Sequence, residues 1–165
     1  MTKRGRPKKP PAPKRDEGTP EVQLRRMILT GTTNDQRASY PLGILLAHKV
    51  IDQQQHNDAL HYAHTLQMAT GRWQHHEGGR AGGYGEGSVP AHQEWQKLTK
   101  RLLSLGRRYK DAMDNVAVFE RLPSWAWALI QKRMPSKSEV AAQKDFVRAC
   151  DALAGMAVDR VSKAA

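Results

Sequence analysis

From Trp95 to Phe119 the apolar residues Trp95, Leu98, Leu102, Leu105, Tyr109, Ala112, Val116 and Phe119 recur alternately three and four apart. That spacing matches an α-helix with one buried stripe and does not fit a strand, whose side chains alternate with a period of two. It predicts a long amphipathic helix beyond Pro90. The seam reads either as core or as half of a homodimer. Val140, Val147, Cys150, Leu153, Ala157 and Val161 form a second stripe further along, which gives the first a partner within the chain and favours core.

Helix boundary signals fill in the rest. Thr19, Pro20 and Glu21 read as an N-cap, a first helical residue and a first-turn acid, opening a short helix that Gly31 closes. Residues 31–39 read as a polar loop. A short apolar helix from Leu42 to His48 follows, and Asp52 with Gln55 forms a capping box for a helix from Gln53 to about Thr70. Ala59, Leu60, Ala63 and Leu66 lie on one face of it. Pro123 interrupts, Ser124 caps a helix through Trp125, Trp127 and Ile130, and Ser136 with Glu139 makes another capping box before the last helix.

No stretch alternates long enough to make a strand. The expected fold is therefore all-α: a helical hairpin (a possible helix-turn-helix), a long helix packed on a C-terminal helix, and a disordered basic arm. Six of the eleven residues from Glu77 to Gly87 are glycine, a composition that opposes ordering. The organisation expected is an arm over 1–18, an N-terminal hairpin lobe over 19–76, a Gly-rich linker over 77–90 and a C-terminal helical lobe over 91–165.

Charge separates these parts. Lys and Arg number 27 against 16 Asp and Glu, a formal net charge of +11. Seven of the 27 fall within residues 1–15 (Lys3, Arg4, Arg6, Lys8, Lys9, Lys14, Arg15) with no acid among them. Twenty basic against 16 acidic residues remain elsewhere, a net of only +4. The surplus is a property of the arm, whose prolines and lack of apolar residues keep it from burying surface. Polyanions are its natural partner. Nucleic acid outranks a membrane surface because the arm has no apolar face to insert.

Within the arm, Arg4-Gly5-Arg6-Pro7, flanked by Lys3, Lys8 and Lys9, resembles the AT-hook family of short DNA-binding segments. An A·T tract narrows the minor groove and deepens its negative potential, which favours inserted Arg. Gly5 lets the backbone approach the groove floor, Pro7 keeps the departing chain extended, and Lys8 and Lys9 meet phosphates. The resemblance implies double-stranded DNA as partner, A·T-rich preferred. A generic basic tail or a targeting address is the plainer reading.

A second candidate is the hairpin over residues 42–70. As a helix-turn-helix it would place Gln53, Gln54 and Asn57 at the base edges, where Gln and Asn bond adenine bidentately. The exposed face of that helix is expected to carry His56, Asp58 and His61 rather than Lys or Arg, so a solvated hairpin is the alternative. A further basic face, Lys97, Lys100, Arg101, Arg107, Arg108 and Lys110, could follow a phosphate backbone or an acidic partner.

Other chemistry finds little footing. His61 with His64, and His75 beside His76, lack the Cys partners or HExxH spacing of a zinc site. The Gly-rich stretch lacks GxxxxGK[ST], and no GxSxG elbow occurs. Neither enzymatic activity nor a cofactor is expected. Cys150 alone cannot form an internal disulfide, and no run approaches the roughly 18 apolar residues of a membrane span. A cytoplasmic, nucleoid-associated protein of bacterial or phage origin is the expectation.

Tyr40-Pro41-Leu42-Gly43 with Leu45, Ile51, Gln55, Ala59 and Tyr62 precede the Gly-rich break. Leu102, Leu105, Gly106, Val116, Glu120, Leu122 and Cys150-Asp151-Ala152-Leu153-Ala154 follow it. Over residues 40–155 this layout resembles a helical domain family of bacteria and phages, found also in an activator of gene transfer agent expression. The resemblance implies regulation of phage-like genes. The expected function is thus a DNA-binding regulator, of transcription by that analogy. The alternatives are a phage packaging or assembly component of the small-terminase kind and a regulator that touches RNA polymerase.

Overall fold

A computed structural model describes residues 18–71 and 88–163, with side chains as far as Ala154. Its described elements are all helical, in the order α1 (Pro20–Thr30), a 3-10 helix (Gln36–Ser39), α2 (Pro41–Ala47), α3 (Gln53–Thr70), α4 (Val89–Leu105), α5 (Arg107–Met113), a π-helical turn (Asp114–Val118), α6 (Ser124–Ile130) and α7 (Lys137–Lys163). The arm residues 1–17, including Lys3, Arg4, Gly5, Arg6, Pro7, Lys8 and Lys9, lie outside the described residues. So do positions 77–87 of the expected linker. Helix has already begun at Val89, so the linker does not reach Pro90.

The local signals act where they were read. The Thr19 side chain accepts from the Val22 N–H, and Gly31 ends α1 at φ 81°, a left-handed backbone that glycine adopts without a Cβ penalty. Asp52 and Gln55 satisfy each other's backbone donors in a full capping box at α3. Ser136 and Glu139 do the same ahead of α7: the Ser136 N–H donates to Glu139 Oε2 at 2.7 Å and the Glu139 N–H to Ser136 Oγ at 3.2 Å.

Three expectations are corrected. The loop over 31–39 contains a 3-10 helix, because Asp35 caps it by accepting from the Arg37 N–H at 2.9 Å. The continuous helix from Trp95 to Phe119 is broken at Gly106, whose φ of 127° and ψ of 154° only glycine holds without strain. The chain then resumes as α5, so Leu98, Leu102, Tyr109 and Val116 still point inward. The π turn adds a residue to the period, which buries Ala117 and turns Phe119 out to 60% exposure. Finally, α6 starts at Ser124 itself after Pro123, with no side-chain cap bond.

One core unites the two halves of the sequence. Leu42, Leu45, Ile51, Ala59 and Tyr62 from the first half pack with Leu98, Leu102, Met113, Phe146 and Leu153 from the second. The α4–α5 seam is therefore spent inside the chain, against α3 and α7. At its polar edge the Tyr62 hydroxyl donates to Asp114 Oδ1 at 2.7 Å, and Lys110 pairs with the same carboxylate. Burial, reinforced by that carboxylate, pushes the Tyr62 phenol well above its ordinary pKa. The indole of Trp125 packs tilted against Phe146, centroids 5.8 Å apart, and fastens α6 to α7.

Candidate functional site

The expected base-reading residues stand together at the start of α3, Gln53 and Gln54 in its first turn and Asn57 just beyond it. Gln53, Gln54 and Asn57 are exposed, and their amides are engaged along the helix: Gln53 Nε2 donates to Asn57 Oδ1 and Gln54 Nε2 to Asp58 Oδ2, each at 2.9 Å. His56, expected on the exposed face, is buried, with Nε2 bonded to the Tyr40 hydroxyl at 3.0 Å. His61 turns toward α4, its Nε2 3.2 Å from Glu94 Oε1. No Lys or Arg occurs from Val50 to Gly71, so α3 has no cations of its own to hold phosphates.

Half of the second basic face is neutralised. Arg107 lies 3.8 Å from Asp111, Arg108 3.5 Å from Asp145, and Lys110 pairs with Asp114. Arg108 also donates to the Tyr109 hydroxyl at 2.7 Å, and the guanidinium groups of Arg108 and Arg148 lie 4.8 and 5.7 Å from the Tyr109 ring. Of these pairs only Arg108–Asp145 crosses to α7; the other two join residues four apart in sequence. Lys97 and Lys100 on α4 remain exposed.

A concavity lies elsewhere, between α1 and α6. Gly43 makes it possible. A Cβ there would stand 2.4 Å from the Arg37 carbonyl oxygen and 2.8 Å from Tyr40 Cζ, so only glycine lets the 3-10 helix lie on α2. The Arg37 guanidinium braces that helix against Asp35 at 2.8 Å and holds the Asp35 carboxyl below the usual carboxylate range. Leu29, Ala38 and Ile44 then form a small buried cluster beneath α1, backed by Leu122 and Ile130. A His48 ring N–H donates to the Leu29 carbonyl at 2.7 Å and ties α1 to the end of α2.

Above that floor opens a groove of about 550 Å³, within the roughly 300–1,000 Å³ range of ligand sites. Leu24 and Ile28 of α1 line it together with Leu122, Trp127, Tyr40 and Pro41. Glu21, Arg25 and Glu120 stand on its lining as charged groups. Glu120 takes a left-handed φ of 50°, an uncommon conformation outside glycine, and there the chain turns from the π turn back toward Leu122. Leu24 is 62% exposed, Ile28 57% and Trp127 41%, so large apolar surfaces face solvent side by side.

Sequence reasoning missed this groove. A signal existed: α1 has eleven residues, yet Val22, Leu24, Met27, Ile28 and Leu29 are spread too widely to share one buried stripe. Among the described residues no group of three or more His, Cys, Asp or Glu could hold a metal ion, and none of the described helices is long and apolar enough to cross a membrane. No known family model, curated protein or solved structure matches the chain.

Proposed function

We propose that this protein is a DNA-binding regulator whose arm holds A·T-rich duplex and whose helical body contacts a second protein through the α1–α6 groove. The observation that carries the reading is the segregation of charge: seven cations and no acid in residues 1–15, against a net of +4 over all the rest. Arg4 and Arg6 enter the minor groove, with Gly5 and Pro7 shaping the chain and Lys3, Lys8 and Lys9 on phosphates. The body supports this division of labour, since its α5 cations are paired with acids and α3 lacks any. Gln53, Gln54 and Asn57 serve at most as a secondary contact, and RNA polymerase is one class of partner for the body.

The test is affinity of the full chain for A·T-rich and G·C-rich duplexes across a salt series. Arg4→Ala with Arg6→Ala should abolish the A·T preference and leave residual phosphate attraction. An equal loss on both duplexes, or none, would defeat the minor-groove reading. A second reading, a packaging or assembly component, draws on the outward Leu24, Met27 and Ile28 of α1. Mass in solution separates the two: a ring of many subunits supports assembly, a monomer or dimer supports regulation.

A further inference from the structure

We infer that the α1–α6 groove is a binding site for a basic polyproline segment, and that its occupant is this chain's own residues 7–15. The groove has the chemistry such a segment requires. Trp127 and Tyr40 line it beside Leu24, Ile28 and Leu122, and the lining carries two carboxylates, Glu21 and Glu120, against one guanidinium, Arg25. Aromatic grooves take proline-rich chains because a polyproline II helix is already extended and loses little entropy on docking. A net negative rim selects those with basic flanks.

The segment answers each of these features. Pro7, Pro10 and Pro13 are spaced three apart, and with three residues per turn a polyproline II helix lays them along one edge. Lys8, Lys9, Lys14 and Arg15 fall between and after them, so prolines meet the aromatic side chains while cations reach the carboxylates.

Position supplies the remaining argument. The described chain begins at Gly18, and Glu21, in the first turn of α1, already lines the groove. Gly18 has φ 79°, a backbone suited to reversing direction. From Gly18 to Pro13 an extended chain reaches up to about 17 Å, more than the roughly 10 Å that separates Glu21 from Ile28 along the helix. A tether this short holds the segment at an effective concentration on the order of millimolar. An untethered partner must outcompete it.

The arm then has two destinations, the groove and a polyanion. That consequence rests on the DNA reading; the docking itself does not, and its test uses no DNA. Cys150 is fully buried and burial pushes its thiol up, out of reach of labelling at neutral pH. An introduced Ala12→Cys is then the reactive thiol for a nitroxide on the full chain. Paramagnetic broadening should concentrate on the Trp127 indole and the Ile28 and Ile44 methyls, sparing the Trp95 indole. It should vanish in Pro7→Ser/Pro10→Ser/Pro13→Ser, which retains every cation, and weaken in Glu21→Gln. A peptide of residues 7–15 should displace it only at about millimolar concentration. Broadening spread evenly over the surface overturns the proposal, as does persistence in the triple serine variant. Equal broadening when the nitroxide and the isotope reside on different molecules also overturns it, assigning the groove to a second copy.

Discussion

The two sides of the molecule bury their apolar residues very differently. Around α3, α4, α5 and α7, Tyr62, Leu102, Met113, Phe146 and Cys150 are shut away from water by residues far apart in sequence. Under α1 the buried set is Leu29, Ala38 and Ile44, while Leu24, Met27 and Ile28 of the same helix stay outside. The first region is packed for stability. The second holds α1 by a small contact and leaves its larger apolar residues for another surface, as expected where contacts are few and local opening is cheap.

Mutations can break this contrast at its strongest point first. Phe146→Ala should lower the unfolding free energy by about 3–5 kcal/mol, read by urea titration, because the residue is buried where α6 and α7 meet. A loss under about 1 kcal/mol would mean the shared core is not the stabilising unit. Gly43→Ala should cost about 1–3 kcal/mol by overpacking, with hydrogen exchange accelerated in α1 well before α3 or α7. Uniform acceleration would show that the two regions open together.

Smaller effects sharpen the contrast. Met27→Ser, on the outer side of α1, should change stability by no more than about 0.5 kcal/mol; a larger loss in the same titration would place that face in contact with something. The smallest effect belongs to the ion pair at the start of α7, between a half-exposed Arg133 and a Glu139 whose side chain is mostly covered. Arg133, by its hydrogen bond to Glu139, with help from the Ser136 N–H, lowers the Glu139 pKa to about 2 from the ordinary 4.5. A depressed folded pKa means the pair stabilises above pH 4.5 and that contribution is lost as pH falls toward 2. Glu139→Gln should therefore differ from the parent at neutral pH and converge with it in acid. Curves that run parallel would show that the pair contributes nothing.

Much of the fold was legible because it is written within three or four residues. Asp52 finds Gln55, Ser136 finds Glu139, and Thr19 finds Val22 without help from distant chain. The Gly106 break was hidden because Leu105 and Tyr109 keep an inward register on either side of it, so periodicity passes through undisturbed. His56 was misplaced because the Tyr40 hydroxyl that receives it sits sixteen residues away. Of the candidate site, Trp127 and Tyr40 were visible as aromatics, but nothing local says that they face the same space as Ile28.

By itself the sequence determined the helical class, the caps and the concentration of charge in residues 1–15, since periodicity, capping and electrostatic repulsion are set by near neighbours. Only the tertiary structure decided that the α4–α5 seam is consumed inside the chain and that a groove opens beneath α1. Both depend on which surfaces meet after hundreds of weak contacts are satisfied together, and each apolar residue alone would be as content in one pairing as in another.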